Sequence, residues 1–150
     1  MQVCAKCLTK TRGDVMRRVL TSQAVIDQYI ETCSILKETT LSGDYRKGNK
    51  EGKKIIKVFK ELENNTELAI QSLPKLFSDP NVVTRTTASA HCLSLNICVD
   101  DATTVLEEIA NDQSNAIFGF NAEMTLKVYR EQGYIKMYKE QEPRYAKLVE

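Results

Sequence analysis

At 150 residues, 42% of them hydrophobic and 27% charged, the chain can bury one core without help from a metal or disulfide. A formal net charge of +1 excludes a protein that binds nucleic acid or anionic membranes through its charge as a whole. No stretch approaches the roughly 20 apolar residues that span a bilayer, so no membrane association is expected.

Charge is unevenly placed. Residues 1–75 hold 14 Lys/Arg against 9 Asp/Glu, a balance of +5, and residues 76–150 hold 7 against 11, a balance of −4. The five cysteines, Cys4, Cys7, Cys33, Cys92 and Cys98, are odd in number and follow no disulfide framework. Thiols on helical, partly apolar segments behave as small hydrophobes, so a reducing cytoplasm is the expected location.

In chain order, residues 1–20 read as a loosely attached basic arm with a short helix near Asp14–Arg18, and residues 21–150 as a single domain. The basic N-terminus lacks a continuous apolar core and does not resemble a secretory signal. The spacing of Val25, Ile26, Tyr29, Ile30, Cys33 and Leu36 or Ile35 predicts a first helix capped by Ser22 and ending near Gly43. A second helix runs from Asp44 to about Glu63 on the apolar line Tyr45, Gly48, Gly52, Ile55, Ile56, Phe59 and Leu62. Its glycines are read as permitting close approach of another helix.

Asn64–Asn65 breaks the pattern, and Thr66 caps a third helix carrying Leu68, Ala69, Leu73 and Leu76, with Pro74 forcing a kink or an early stop. Asp79 followed by Pro80 is a start signal for a fourth helix. That helix, reaching about Asn96, is apolar or small around most of its circumference and should lie at the centre. Asp100 caps a fifth. A polar loop over Asn111–Asn115 leads to a sixth, whose wide stripe of Phe120, Ala122, Met124, Leu126, Val128 and Tyr129 stops at Gly133. The tail, with Tyr134, Ile135, Tyr138 and Tyr145 around Pro143, is read as one or two capping helices. No window alternates with period two, so no sheet is expected.

Positions recur along this chain. Leu73 and Leu76 correspond to Leu106 and Ile109 at an offset of 33, Asp79 to Asp112 at the same offset, and Ala88 to Ala122 at 34. Two helices per unit with a small-residue second helix is the mechanical unit of HEAT and armadillo arrays. The alternative is a chance likeness between two hairpins of a plain bundle.

Five segments carry a resemblance: Tyr45-Arg46-Lys47-Gly48-Asn49-Lys50, Phe59-Lys60-Glu61-Leu62, Asp79-Pro80-Asn81-Val82, Ala88-Ser89-Ala90-His91-Cys92-Leu93 and Phe120-Asn121-Ala122-Glu123-Met124-Thr125-Leu126. From about Thr21 to Gly133 the chain resembles a small bacterial domain family of unknown function with a HEAT/armadillo-like fold. The resemblance implies an all-α, right-handed α-α superhelix of about three hairpins and imports no activity. It also implies that Asp79 and Arg85 can hydrogen-bond between neighbouring turns. Phe118-Gly119 stands where the second repeat would need its arginine, so any such ladder is incomplete.

The sharpest candidate surface is a line of cations. Arg46, Lys50, Lys53, Lys57 and Lys60 advance by 4, 3, 4 and 3 residues and form one ridge, widened by Lys47 and Lys54 and lying about 140° from the helix's apolar line. It could grip an acidic protein or phosphate backbones. The plainer reading is a solvated helix face, partly paired with Asp27, Glu31 or Glu38 of the preceding helix. A second candidate line is Thr84, Thr87, His91, Ser94 and Cys98, facing a groove if the fourth helix lines one. His91 and Cys98 stand roughly 10 Å apart in helical rise, too far for a catalytic pair.

Cys4-Ala5-Lys6-Cys7 is a lone C-x-x-C without the further ligands zinc needs, and reads as two unpaired thiols. A single histidine excludes multi-His metal sites. Asp100, Asp101 and Glu123 serve helix dipoles and an ion pair with Lys127. The expectation is a non-enzymatic protein-binding module without cofactor, of an immunity or adaptor kind. Its candidate contact residues are Arg46, Lys50, Lys53, Lys57, Lys60, Thr84, Thr87, His91 and Glu123. Nucleic-acid binding through the ridge is the alternative, and an enzyme would require a pocket joining His91 to Glu123 or Asp112.

Overall fold

Helix boundaries in the computed structural model, which describes residues 20–137, follow from where short polar side chains can satisfy the first free N–H groups. Thr21 accepts from the Ala24 N–H at 3.1 Å and starts α1 (Ser22–Ser42). Asp44 does the same for α2 (Tyr45–Glu63) and Asn65 for α3 (Thr66–Ser72). Asn81 caps α4 (Val82–Leu95) through the Val83 N–H at 2.9 Å. Two helices, α5 (Val99–Asn111) and α6 (Ile117–Gln132), begin without a side-chain cap. In α5, Asp100 and Asp101 in the first turn complement the helix dipole instead.

Among the described residues there are six α-helices, two short 3-10 turns and no strand. The six pack as sequential pairs: α1 on α2, α3 with its 3-10 extension on α4, and α5 on α6. Gly43 and Gly133 close α1 and α6 in the left-handed conformation, at φ 81° and 82°, which costs glycine nothing. Pro74 ends the third helix rather than kinking it. The α-helix stops at Ser72, and Leu73–Ser78 continues as a 3-10 turn whose Leu73 and Leu76 remain buried.

The expectation of a central fourth helix is met. Helix α4 packs against α1, the 3-10 turn, α5 and α6, and it buries Val82, Thr84, Ala88, Ser89, Ala90, His91, Cys92 and Leu93. Small residues make this possible, since neighbouring axes can close in around a helix that carries little side-chain bulk. Around it, Val25 and Tyr29 of α1, Ile55 and Leu62 of α2, Leu106 and Ile109 of α5, and Ala122 and Leu126 of α6 complete one continuous core.

The offset-33 correspondence has a physical counterpart. Leu73, Leu76, Leu106 and Ile109 are all within 1% of complete burial, and Ala88 and Ala122 are completely buried. Asp79 accepts the Asn81 N–H at 3.0 Å, and Asp112 accepts the Ser114 N–H at 3.0 Å, so both aspartates fold the same turn before the following helix. Arg85 acts electrostatically on Asp112, across from one hairpin to the next. At the position where a second repeat would carry its arginine, Phe118 is buried and Gly119 lets α6 approach α5. A Cβ on Gly119 would lie 3.1 Å from the Ile109 carbonyl oxygen.

Several expectations need correcting. Asp79 is not the cap of α4. It sits two residues earlier and shapes the turn that delivers Asn81 to that role. Ser22 does not cap α1, because Thr21 does; the Ser22 hydroxyl donates to the Gln71 carbonyl at 3.2 Å and ties α1 to α3. Asp100 lies inside α5, whose N-cap position is Cys98 at φ 47°. Of the two glycines in α2, Gly48 does meet a neighbour, its missing Cβ facing the Thr39 hydroxyl at 3.0 Å, whereas Gly52 faces open space. The arm with Cys4 and Cys7, and the C-terminal caps, lie outside the described residues.

Candidate functional site

Helix α2 divides sharply between its two faces. Ile55, Val58, Phe59 and Leu62 are buried toward α1 and α3, and Glu51 joins them at 7% exposure, its Oε1 held 3.0 Å from the Lys54 ammonium. On the opposite face Arg46, Lys50, Lys53, Lys57 and Lys60 are all exposed. None of the five makes an ion pair with a described residue. Among the described residues the ion pairs are Lys54–Glu51 and Arg130–Glu107, so Asp27, Glu31 and Glu38 of α1 form none with the ridge.

An unneutralised ridge opposes folding in two ways. Like charges three or four residues apart destabilise a helix by roughly 0.2–0.5 kcal/mol per pair, and four such steps run along this line. Arg46 and Lys47 also occupy the first turn of α2, where the dipole favours anions and no acidic residue is present. Helix α2 nevertheless forms, because its inner face buries Ile55, Phe59 and Leu62, each worth roughly 1.5–3 kcal/mol. Apart from Lys60, whose place in the last turn of α2 suits the helix dipole, the ridge is tolerated by the fold rather than required by it.

At the N-terminal end of the ridge, where the chain turns at Gly43, two apolar side chains project into solvent: Leu41 at 68% exposure and Tyr45 at 76%. Tyr45 was expected on the buried line of α2. It stands in the first turn of the helix, whose buried residues begin only at Glu51 and Ile55. No periodicity distinguishes an apolar residue at a helix end from one in the core, which is why the sequence pattern counted it as interior.

The second candidate line does not survive as a surface. Thr84 and His91 are at 0% exposure, turned into the core, so neither can meet a partner directly. His91 Nδ1 lies 2.7 Å from the Tyr29 hydroxyl, and its ring packs edge-on to Tyr29 and against Phe59 with centroids 4.5 Å apart. Burial lowers its pKa to about 3, so the imidazole is neutral. Cys33 is also buried, and desolvation pushes its thiol up to about 11 despite the opposing influence of the Thr87 and Thr84 hydroxyls. Cys98 has left α4 altogether. Thr87 is half-buried and lines a small depression with Thr40, Val83, Thr86, Phe118 and Asn121.

Glu123 is exposed on an open groove of about 510 Å³ between α5 and α6, together with Glu107, Asn111, Lys127, Arg130 and Glu131. The Arg130 guanidinium donates to Glu107 at 2.8 Å across this groove. His91 and Asp112 do not line it, so the residues an enzyme reading would need are not brought together there. The Ser114 hydroxyl, then the Ser114 N–H, hold the Asp112 carboxyl below the usual range, which marks it as a turn-forming carboxylate. Among the described residues, no three of His, Cys, Asp and Glu converge as a metal site requires.

A further feature appears only in three dimensions. The wide apolar stripe of α6 splits: Phe118, Ala122 and Leu126 are buried against α5 and α4, while Ile117, Phe120, Met124 and Val128 remain exposed. The width of the stripe was the available signal, since a helix covered on one side needs an apolar arc of only about 100°.

The fold has a relative among solved structures. The crystal structure of the protein RPA1889 from Rhodopseudomonas palustris CGA009 matches with a TM-score of 0.69 at 18% identity, covering 79% of this chain and 95% of that one. At that identity the likeness concerns the fold alone. No protein family and no curated protein is matched by the chain. No described helix is long and apolar enough to cross a membrane.

Proposed function

We propose that this chain is a non-enzymatic protein-binding module of the HEAT/armadillo-like helical-repeat type. It would act as a bacterial adaptor or immunity protein that holds one partner along α2. The observation that carries the reading is the ridge itself: Arg46, Lys50, Lys53, Lys57 and Lys60 are aligned, exposed and without ion-pair partners among the described residues. A charge line that opposes the fold is retained most simply for what it attracts. The matching turns at Asp79 and Asp112, and the equal burial of Leu73 with Leu106 and Leu76 with Ile109, support a repeat architecture. They are also what a right-handed superhelix of hairpins would require. The free thiols Cys33, Cys92 and Cys98 suit a reducing cytoplasm.

The test is affinity capture from a bacterial lysate with the wild-type chain and with a Lys50→Glu, Lys53→Glu, Lys57→Glu variant. The reading expects a stoichiometric protein partner that the variant fails to retain. Capture that disappears after nuclease treatment would instead assign the ridge to nucleic acid, and capture indifferent to the three reversals would remove α2 as the binding surface.

A further inference from the structure

The spacing of the ridge restricts its partner more than its charge does. At 1.5 Å of rise per residue, steps of 4, 3, 4 and 3 place the five cations alternately about 6 and 4.5 Å apart, along a line of about 21 Å. Another α-helix carrying acidic residues at the same steps reproduces that alternation along its whole length, because its rise is identical. A DNA strand advances about 3.4 Å per phosphate along the duplex axis and winds away from any straight line. A convex helical ridge would therefore meet such a strand in register over only a few phosphates.

The end of the ridge adds an independent constraint. Leu41 and Tyr45 flank the Gly43 corner beside Arg46, both largely exposed. Tyr45 alone could stack on a base, but an aliphatic Leu41 has no aromatic face to offer and instead suits an apolar side chain. At 100° per residue Tyr45 stands about 100° round α2 from the centre of the ridge, so the apolar pair lies at the end of the cationic line and to one side of it.

We propose that α2 docks an acidic amphipathic helix of a partner protein. Its carboxylates would follow the 4-3 spacing opposite Arg46, Lys50, Lys53, Lys57 and Lys60, and an apolar residue at one end would seat on Leu41 and Tyr45. This rests on the protein-binding reading above and adds the chemistry and conformation of what is bound. Long side chains on both helices bring the charges together while the axes stay apart, and the charge pairs steer encounter and fix register. The apolar seat supplies attraction that salt does not screen.

The experiment uses the full chain and fluorescence anisotropy with three labelled probes: a helical peptide with Glu at the 4-3 steps and a terminal Leu, a peptide of equal composition and helicity with its Glu residues scattered round the helix, and a DNA oligonucleotide, single- and double-stranded. The matched peptide is expected to bind at least about tenfold more tightly than the scattered one, and to lose that advantage in the Lys50→Glu, Lys53→Glu, Lys57→Glu variant. Leu41→Ala with Tyr45→Ala should weaken it about three- to tenfold and leave the salt dependence unchanged. Circular dichroism checks that each variant keeps its helical content.

Equal affinity for the two peptides, tighter binding of either oligonucleotide, or indifference to the charge reversals would overturn the proposal. A ridge-dependent protein captured from lysate alongside equal peptide affinities would overturn the helical partner and leave the protein-binding reading standing. A ridge that retains neither lysate protein nor peptide ends both.

Discussion

The one histidine of the chain carries its proton equilibrium into the core, where the Tyr29 hydroxyl 2.7 Å from Nδ1 and the rings of Tyr29 and Phe59 surround it. Because burial lowers its pKa to about 3, against about 6.5 when unfolded, the unfolded chain binds a proton between those values and the folded chain does not. The stabilisation is therefore complete above about pH 6.5 and is lost as the pH falls toward about 3, amounting to about 2 kcal/mol between pH 7 and 5. Urea unfolding at the two pH values should show this loss in the wild type and a smaller one in His91→Gln. NMR should find the folded imidazole neutral at pH 5, and an imidazole that titrates near pH 6.5 would mean it is not buried as described. The sequence placed His91 on a polar line with Thr84 and Thr87 and offered that line as a groove. Small polar residues read alike on an open face and in a tight interior, and only the packing of α1 and α2 against them separates the two.

Within single helices, the two glycine contexts predict opposite signs. Gly52→Ala adds a methyl group in open space on α2, so helix propensity should raise stability by roughly 0.5–1 kcal/mol. Gly119→Ala places its Cβ 3.1 Å from the Ile109 carbonyl oxygen, which also accepts from the Asn115 amide at 3.0 Å. Separating α5 from α6 there should outweigh the propensity gain and destabilise by roughly 1–3 kcal/mol, measured by chemical denaturation. Asn81→Ala should cost about 1 kcal/mol through loss of the α4 cap. Element existence was legible in the sequence because apolar spacing is pronounced in α2 and α5 and because Gly43, Asn64–Asn65, Pro74 and Gly133 punctuate the rest. The starts were less so: Asp79, Asn81, Asp100 and Ser22 are all competent caps, and which one is used depends on the turn each must complete. The 3-10 turn after Pro74 shows the same thing, since the apolar pattern continued through Leu73 and Leu76 while the backbone did not remain α-helical.

Across the whole molecule, the cation ridge on the first helical pair and the exposed apolar line of α6 on the last are the surfaces the fold does not use internally. The ridge was readable from residue spacing alone, because charges at 4-3 steps align on any helix. Its lack of ion-pair partners was not, because Asp27, Glu31 and Glu38 lie on the preceding helix and only the folded arrangement shows that they form no pair with it. Since the ridge is self-repelling, raising the salt from about 20 to 300 mM should stabilise the wild type by up to about 1 kcal/mol. Reversal at Lys50, Lys53 and Lys57 should remove or invert that response in thermal unfolding. The binding account is tested most directly by amine-reactivity footprinting of the chain alone and with its captured partner, read by mass spectrometry. The account predicts that Lys50, Lys53, Lys57 and Lys60 become protected while Lys75 and Lys127 do not; protection confined to Lys127, with the α2 lysines still reactive, would contradict it.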